Sequence, residues 1–133
     1  MSERTLFIIK PDAVSRGLIG QIIQRFESKG FTIINLKMLQ FNRELATKFY
    51  NVHKEKPFFE ELVSFITSGP AVAAIIEGDH AIDATRLMIG STRSYEAQPG
   101  SVRGDFGLGI SANIIHASDS LESFKYESGV VFS

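Results

Sequence analysis

Apolar positions along the chain repeat with two periods, one typical of strands and one typical of helices. The run over residues 5–9 is apolar and is stopped by Pro11, so it predicts a buried strand that leads into a loop. After Gly17, apolar residues recur on one helical face as far as Lys29 and Gly30, which supply a C-terminal cation and a helix-ending glycine. This stretch predicts an amphipathic helix.

The middle of the chain continues the alternation of strands and helices. Apolar and polar residues alternate over residues 31–38, which predicts a strand that buries the face of Ile34, Leu36 and Met38. The next elements are a helix that Asn42 can cap and that continues to Tyr50, a helix over residues 58–66, a buried strand over residues 71–76 and a helix with Ile82, Thr85 and Ile89 inward. The order of elements up to this point is βαβααβα.

The C-terminal third is less regular. Residues 90–113 are rich in glycine, serine and arginine and have no convincing period, and long irregular loops are often functional. The remaining elements are a short helix, capped by Asp119 or Ser120 with Leu121 and Phe124 inward, and a strand over residues 130–132. About four strands with short helices predict an α+β sandwich in which helices cover one face of an antiparallel sheet. Residues 1–133 are expected to form one domain.

Composition narrows the class of protein. The chain has 133 residues, of which 44% are hydrophobic, and a formal net charge of −1. These values are ordinary for a soluble globular domain and give no reason to expect a nucleic-acid-binding surface. Without cysteine there is neither a disulfide nor a thiolate metal site, and no apolar run is long enough to cross a membrane. The sequence therefore favours a cytoplasmic protein without a membrane or a specific nucleic acid as partner.

Two common nucleotide-binding motifs are absent or out of context. No G-x-x-x-x-G-K-[ST] P-loop occurs in the chain. Residues 107–112 match the loose form G-x-G-x-x-[GA], but no clear strand precedes them and no helix follows, as the dinucleotide mechanism requires. This segment is therefore interpreted as a loop.

The segment with the most informative chemistry surrounds His116, which lies among hydroxyl side chains between an arginine-bearing loop and a helix start. A neutral imidazole can attack phosphorus with one nitrogen when the other is held as a donor. Helix N-terminal amides and arginine side chains can stabilise the phosphate as it transfers. Residue chemistry alone leaves open the alternative that His116 is a structural histidine.

Cations and aromatic rings near the ends of the predicted elements can complete such a site. The cations are Lys10, Arg86, Arg93 and Arg103. Charged residues are mostly solvated, and Arg93 is assigned to that class. Of two adjacent phenylalanines, Phe59 is expected to face the core and Phe58 the rim, where a ring can stack on a base.

The residues around His116, which read N-I-I-H-A-S-D-S over residues 113–120, closely resemble the N-x-x-H-[GA]-S-D signature of nucleoside diphosphate kinases. Further blocks agree with that family in order, namely R-T-L-F-I-I-K-P-D-A-V from residue 4, H-K-E-K-P-F-F from residue 53, T-S-G-P from residue 67 and P-G-S-V-R-G-D-F from residue 99. Linked blocks over nearly the whole chain are far more specific than one motif. The resemblance implies a ferredoxin-like sandwich, with helices on a four-stranded antiparallel sheet.

The resemblance also implies an activity, the transfer of the terminal phosphoryl group from a nucleoside triphosphate to a nucleoside diphosphate. In this ping-pong scheme His116 is phosphorylated on Nδ1, while Glu127 and Ser118 position it. The residues expected around the phosphates and the ribose are Lys10, Tyr50, His53, Arg86, Thr92, Arg103 and Asn113. Phe58 and Ile110 are expected to sandwich the base, which implies low discrimination among bases.

Expectations about cofactor and assembly follow from the same resemblance. Mg²⁺ is expected to arrive on the nucleotide phosphates, without a protein carboxylate cage. A homo-oligomer is expected, with hexamer and tetramer both open, because many relatives have a C-terminal extension beyond Ser133 that contributes subunit contacts. The family commonly has T-N-P or T-D-P where this chain has Thr92, Arg93 and Ser94, followed by Tyr95. This altered loop supports one competing hypothesis, a non-enzymatic ferredoxin-like module that binds nucleotides or a protein.

Overall fold

The computed structural model of the protein describes residues 2–133. Its strands and helices are β1 Ser2–Ile9, α1 Pro11–Ser15, α2 Ile19–Lys29, β2 Thr32–Leu39, α3 Arg43–Phe49, α4 Phe59–Ile66, β3 Ala71–Asp79, α5 Ala81–Ile89, α6 Val102–Phe106, β4 Ile115–Ala117 and α7 Leu121–Val131. Short 3₁₀ helices lie at Asn51–His53 and Ser94–Glu96. None of the described helices combines the length and the apolar character needed to cross a membrane.

Strands β1 to β4 form an antiparallel sheet in the order β2-β3-β1-β4. Strand β1 pairs with β3 along its whole length and with the short strand β4 on its other side. The four-stranded antiparallel sheet with helices confirms the predicted α+β, ferredoxin-like fold. In this sheet the register of β4 places His116 opposite Ile8.

Helices cover both faces of the sheet because the central strand β1 is apolar on both faces. Leu6 and Ile8 pack in one cluster with residues of α3, α4 and α7, whereas Phe7 and Ile9 pack in another with residues of α1, α2 and α5. All four side chains are fully buried. The prediction that helices cover one face is therefore wrong. A continuous apolar run, rather than an alternating one, marks a strand with two buried faces.

The fourth strand is not the one predicted near the C-terminus. Residues 130–132 complete and follow α7, and Val131 is buried in the cluster formed with α3 and α4. Ser120 caps α7 by accepting a hydrogen bond from a backbone amide in the first turn. Leu121, predicted to face inward, is exposed, whereas Phe124 packs against the core. The β-branched residues favour a strand locally, but packing against the core decides for a helix.

Strand β2 lies at an edge of the sheet and exposes the face that was predicted to be buried. Ile34, Leu36 and Met38 are 38%, 47% and 59% exposed. The pairing with β3 shifts between Ile33 and Asn35, an irregularity of the kind a β-bulge produces. After the shift Leu36 and Met38 pair with residues of the Phe7 and Ile9 cluster and so share its face of the sheet, but at this edge strand they stay exposed.

Two short helices lie where the sequence predicts loops. Pro11 is the first residue of α1, where its missing amide hydrogen costs no helical hydrogen bond. Ser101 caps α6 by accepting a hydrogen bond from the Gly104 amide. Each helix has five residues, which is too few for a helical period to stand out in the sequence.

Gly104 provides a test of how tightly the segment around α6 is packed. A Cβ at this position would overlap the carbonyl oxygen of Gln98, which is backbone and cannot rotate away. We expect Gly104→Ala to lower the free energy of unfolding by about 1–3 kcal/mol, measured by urea unfolding. Gly20→Ala in α2 is the matched control, because a Cβ there meets no described atom within 4 Å. That control should gain about 0.5–1 kcal/mol, and equal stability of the two variants would contradict the expectation.

Candidate active site

A cleft of about 540 Å³ opens beside the edge strand β4. It is lined by eleven of the predicted site residues, namely Lys10, Tyr50, His53, Phe58, Arg86, Thr92, Arg103, Ile110, Asn113, His116 and Glu127. Ser118 does not line the cleft but bonds Glu127, which does. A more open groove of about 630 Å³ beside α2 contains none of these residues. The chemistry predicted from the sequence therefore converges on the smaller cavity.

His116 is held from behind by a carboxylate. Its Nε2 lies 2.9 Å from Oε1 of Glu127, and the Ser118 hydroxyl donates to the same oxygen at 2.7 Å. An ionised carboxylate only accepts, so Nε2 carries the proton of the neutral ring and Nδ1 keeps its lone pair. Within residues 2–133 Nδ1 makes no hydrogen bond, while the ring packs edge-on against Phe49 with centroids 5.1 Å apart. The site therefore leaves one nucleophilic nitrogen on a residue that lines the cleft.

Lys10 brings a cation into the interior at the end of β1. Its side chain is 5% exposed, and Nζ donates to Oδ1 of Asn113 at 2.7 Å. Burial, with a smaller contribution from the nearby Arg103 guanidinium, lowers the pKa of Lys10 from 10.5 to about 7. The Asn113 amide group in turn donates to the carbonyl of Thr92 at 2.9 Å. An incoming anion would strengthen the charged form of Lys10.

Arg103 lies almost fully buried against the same cleft. Its guanidinium donates to the carbonyl oxygens of Asn113, Gly90 and Ile115 at 3.2, 2.9 and 2.6 Å. Burial, followed by repulsion from Arg86, lowers the pKa of Arg103 to about 10, so it stays charged at neutral pH. Three of the five N–H groups of a guanidinium are thus engaged with backbone, which leaves two for an anion.

Tyr50 and His53 line the same cleft. Burial raises the pKa of Tyr50, and the charge of Glu127 adds to the effect, so its hydroxyl stays protonated and able to donate. Burial also lowers the pKa of His53, with help from Lys56 and His116, which favours a neutral imidazole there. The His53 Nδ1 is buried and has no hydrogen-bond partner within residues 2–133. The ring itself lines the cleft.

Two apolar side chains stand at the mouth of the cleft. Phe58 and Ile110 both line it and are 42% and 51% exposed, whereas Phe59 is buried in the core. The rim position of Phe58 and the inward position of Phe59 are as predicted. The Phe58 ring also packs against His53, with ring centroids 5.4 Å apart. Such a mouth can hold a flat ring by stacking.

The sequence is similar to known proteins over almost the whole chain. The family model described as nucleoside diphosphate kinase matches residues 3–133. A nucleoside diphosphate kinase of Hyperthermus butylicus is 60% identical, covering 98% of this chain and 92% of that relative, and one of Thermoplasma acidophilum is 52% identical, covering 100% and 90%. The chain belongs to the nucleoside diphosphate kinase family. It is therefore an enzyme, a kinase that binds nucleotides.

Solved structures of nucleoside diphosphate kinases share the fold described above. The enzyme of Aquifex aeolicus superimposes with a TM-score of 0.96 at 50% identity, covering 100% of this chain and 96% of that one. The enzyme of Halobacterium salinarum, solved in complex with CDP, has a TM-score of 0.96 at 42% identity, covering 100% and 89%. The hypothesis of a non-enzymatic module, which rested on the altered loop at residues 93–95, loses its support.

Of the altered loop only Thr92 lines the cleft of this nucleoside diphosphate kinase, and residues 93–95 lie outside the lining. Arg93 is exposed and lies 3.8 Å from Glu96, and neither residue lines the cleft. The sequence assignment of Arg93 to the solvated charges is confirmed. Residues 107–112 are preceded by α6 and followed by β4, so the strand and helix of a dinucleotide-binding motif are both missing around them.

Several features of the site have no signal in the sequence. Glu61, Ser111 and Asp119 also line the cleft, and the Ser111 hydroxyl donates to Glu61 Oε1 at 2.9 Å. The backbone of Ile114 has a positive φ, which costs about 1–3 kcal/mol for such a residue. Only the arrangement of the cleft shows that Glu61 and Ser111 belong to it, whereas Asp119 is the last residue of the signature that begins at Asn113. Nothing in the choice of isoleucine marks a left-handed backbone, since glycine or asparagine is its usual sign.

No group of three or more histidine, aspartate or glutamate side chains within residues 2–133 converges in a way that would hold a metal ion. The polar side chains that line the cleft include three cations and four hydroxyl groups, besides the carboxylates of Glu61, Asp119 and Glu127. Such a lining suits an anion that carries its own counter-ion better than a bare divalent cation.

The buried ammonium of Lys10 makes stability depend on pH. Folding lowers its pKa from 10.5 to about 7, so between these values the unfolded chain binds more protons than the folded chain. The free energy of unfolding should therefore rise from pH 7 to about pH 9.5, by up to about 1 kcal/mol per pH unit. We expect Lys10→Met to flatten this rise in urea unfolding, and the exposed-lysine control Lys48→Met to retain it. Parallel curves for wild type and Lys10→Met would contradict this assignment.

Proposed function

We propose that His116 is the residue phosphorylated when this nucleoside diphosphate kinase transfers a terminal phosphoryl group between nucleotides. The observation that carries the proposal is the 2.9 Å contact between Nε2 and Glu127, which leaves the lone pair of Nδ1 available. Nδ1 attacks the terminal phosphorus of a triphosphate, the new nitrogen–phosphorus bond forms, and the bond to the bridging oxygen breaks. That oxygen keeps the electron pair, and the nucleoside diphosphate leaves.

The second half of the reaction reverses these bonds with another nucleotide. A terminal oxygen of the incoming diphosphate attacks the phosphorus, and Nδ1 departs with its electron pair. The proton on Nε2 stays in place throughout, and Glu127 stabilises the positive charge that the ring acquires while Nδ1 is phosphorylated. Donor and acceptor use one cleft in turn, which is a ping-pong scheme.

The remaining predicted residues have roles that suit their positions. Arg86, Arg103 and Thr92 bind phosphate oxygens, with His53 as a further contact, and Lys10 and Asn113 reach the ribose hydroxyls, while Tyr50 contributes a protonated hydroxyl near Glu127. Phe58 and Ile110 hold the base between two apolar surfaces. Stacking makes few hydrogen bonds to base edges, so discrimination among bases is low.

Mg²⁺ would come to this site bound to the phosphates of the nucleotide. The cationic and hydroxyl lining of the cleft fits this arrangement, because the protein groups then bind the phosphate oxygens that the metal leaves open. Of the acidic residues in the lining, Glu61 and Asp119 are exposed to solvent, and either carboxylate would accept a hydrogen bond from water held by the ion. The ion supplies charge neutralisation of the transferring phosphate.

Nucleoside di- and triphosphates are the partners of this cleft, and we expect no specific nucleic acid. The cytoplasmic location and the single domain over residues 1–133 stay predictions.

A homo-oligomer, hexamer or tetramer, is proposed because the edge strand β2 exposes the apolar stripe of Ile34, Leu36 and Met38. Long apolar edge strands are usually covered in native proteins, and a second copy of the chain would cover this one.

Substitution of His116 tests the proposed nucleophile. With a triphosphate labelled on its terminal phosphate, wild type should acquire a label that is stable in base and labile in acid, as expected of a phosphohistidine. His116→Ala should acquire no label and should lose phosphoryl transfer by at least about 1000-fold. His80→Asn is the control, because His80 is exposed and lies outside the cleft with a φ of 52°, which asparagine tolerates. Retained labelling in His116→Ala would exclude this residue as the nucleophile.

A charge placed on the exposed stripe tests the assembly. Leu36→Glu should lower the mass measured by analytical ultracentrifugation, because burying a carboxylate in an apolar interface is costly. Leu87→Glu is the control, since Leu87 is 81% exposed on α5 and lies outside the stripe. An unchanged mass for Leu36→Glu, or a wild-type protein that is already monomeric, would contradict the role given to the stripe.

A further inference from the structure

The turn that leads into β4 has an unusual backbone. Ile114 has a φ of 76°, in the left-handed region that a β-branched residue rarely adopts. The amide of Ile115 donates to the carbonyl of Asn113 at 2.8 Å, so these three residues form a γ-turn with Ile114 at its centre. A γ-turn with this sign of φ is rare and strained. It persists only where the surrounding contacts over-determine it.

Hydrogen bonds from three parts of the chain hold this γ-turn. Oδ2 of Asp12, on α1, accepts from the Ile114 amide at 3.1 Å, and the Lys10 amide donates to the Ile114 carbonyl at 2.8 Å. Arg103 donates to the carbonyl groups of the residues on either side. Among these contacts, only that of Asp12 joins a side chain to the amide of Ile114 itself.

The γ-turn sets the relative position of two residues of the cleft. Asn113 directly precedes Ile114 and accepts a hydrogen bond from Lys10 Nζ. His116 comes two residues after Ile114. Strand β4, which carries His116, has only three residues, so its direction depends on the turn before it as well as on β1. A change of φ at Ile114 would therefore move Asn113 and the His116 ring relative to each other.

Asp12 supplies a charged acceptor, although the amide of Ile114 requires only a neutral one. Its second oxygen, Oδ1, is buried and has no hydrogen-bond partner within residues 2–133. A neutral acceptor would satisfy the same amide with a smaller desolvation cost. The charge also acts on Lys10, whose pKa it raises against the effect of burial. The carboxylate therefore has two effects at this place, a hydrogen bond to the turn and a charge beside the buried ammonium.

We propose that Asp12 is a positioning residue for phosphoryl transfer: its carboxylate holds the γ-turn at Ile114 and thereby fixes the His116 ring relative to Asn113. Asp12 does not line the cleft, so it acts through the turn rather than on the nucleotide. The inference rests on the proposed role of His116 as the nucleophile.

Single-turnover labelling with a triphosphate separates positioning from binding. In Asp12→Ala the maximal rate of phosphoenzyme formation should fall about 10- to 100-fold, because a displacement of the reacting groups by about 1 Å can cost about 100-fold. The half-saturating nucleotide concentration should change by about threefold or less. Asp12→Asn keeps an acceptor for the Ile114 amide, so its maximal rate should stay within about threefold of wild type. Loss of the charge beside Lys10 would then appear in its half-saturating concentration.

A second substitution tests whether the turn carries the effect. Glycine adopts a positive φ without strain, so Asp12→Ala combined with Ile114→Gly should regain a maximal rate within about threefold of wild type. Glu3→Ala is the matched control. Glu3 also accepts a hydrogen bond from a backbone amide, that of Ile82 at 2.8 Å, but far along the chain from the turn. Its loss should leave the maximal rate unchanged.

Two results would overturn the role of Asp12. One is a maximal rate in Asp12→Ala within twofold of wild type, and the other is a loss of rate that Ile114→Gly does not recover. If wild type takes up no label, the proposed role of His116 fails, and amide hydrogen exchange then decides on the turn. Exchange at Ile115 should be at least about tenfold faster in Asp12→Ala than in Glu3→Ala. Equal exchange in those two variants would show that Asp12 does not hold the γ-turn.

Discussion

The burial of β1 on both faces leaves this strand almost no freedom to shift. Its apolar residues alternate between two core clusters, and its two sides pair with β3 and β4. A one-residue slip would move every side chain into the wrong cluster. The position of Lys10 at the end of the strand follows from this constraint, and so does the register that sets His116 opposite Ile8. The cleft therefore lies beside a strand whose register is set on both faces and along both sides.

Around the end of β1 the protein buries polar side chains of types that are mostly exposed in proteins. Lys10, Arg103, Asn113 and Ser118 are all buried, and each has hydrogen-bond partners from the protein. The lowered pKa values of the two cations show what their desolvation costs. Preorganised donors of this kind need little rearrangement when charge develops on a phosphate, which is the main source of catalysis in phosphoryl transfer.

Much of the fold was readable from the sequence because it depends on local patterns. A window of a few residues is enough to predict β1 from its apolar run, α2 from its helical period and β3 from its apolar residues. The errors fall where tertiary contacts override local preference. Residues 130–132 have the composition of a strand but finish a helix, and Ile34, Leu36 and Met38 stay exposed because β2 lies at the edge of the sheet. Strand β4, with three residues, is too short to be predicted.

The sequence by itself determined the chemistry of this protein: which residue is the candidate nucleophile, which cations accompany it, and to which family the linked blocks belong. Only the tertiary structure decided how these groups face one another. The proton on Nε2 of His116 is set by Glu127, a residue eleven positions away on another element, and the strained backbone at Ile114 is held by Asp12 from more than a hundred positions away. Local propensity carries no record of such distant hydrogen bonds, because they form only when the sheet and its helices have closed around them.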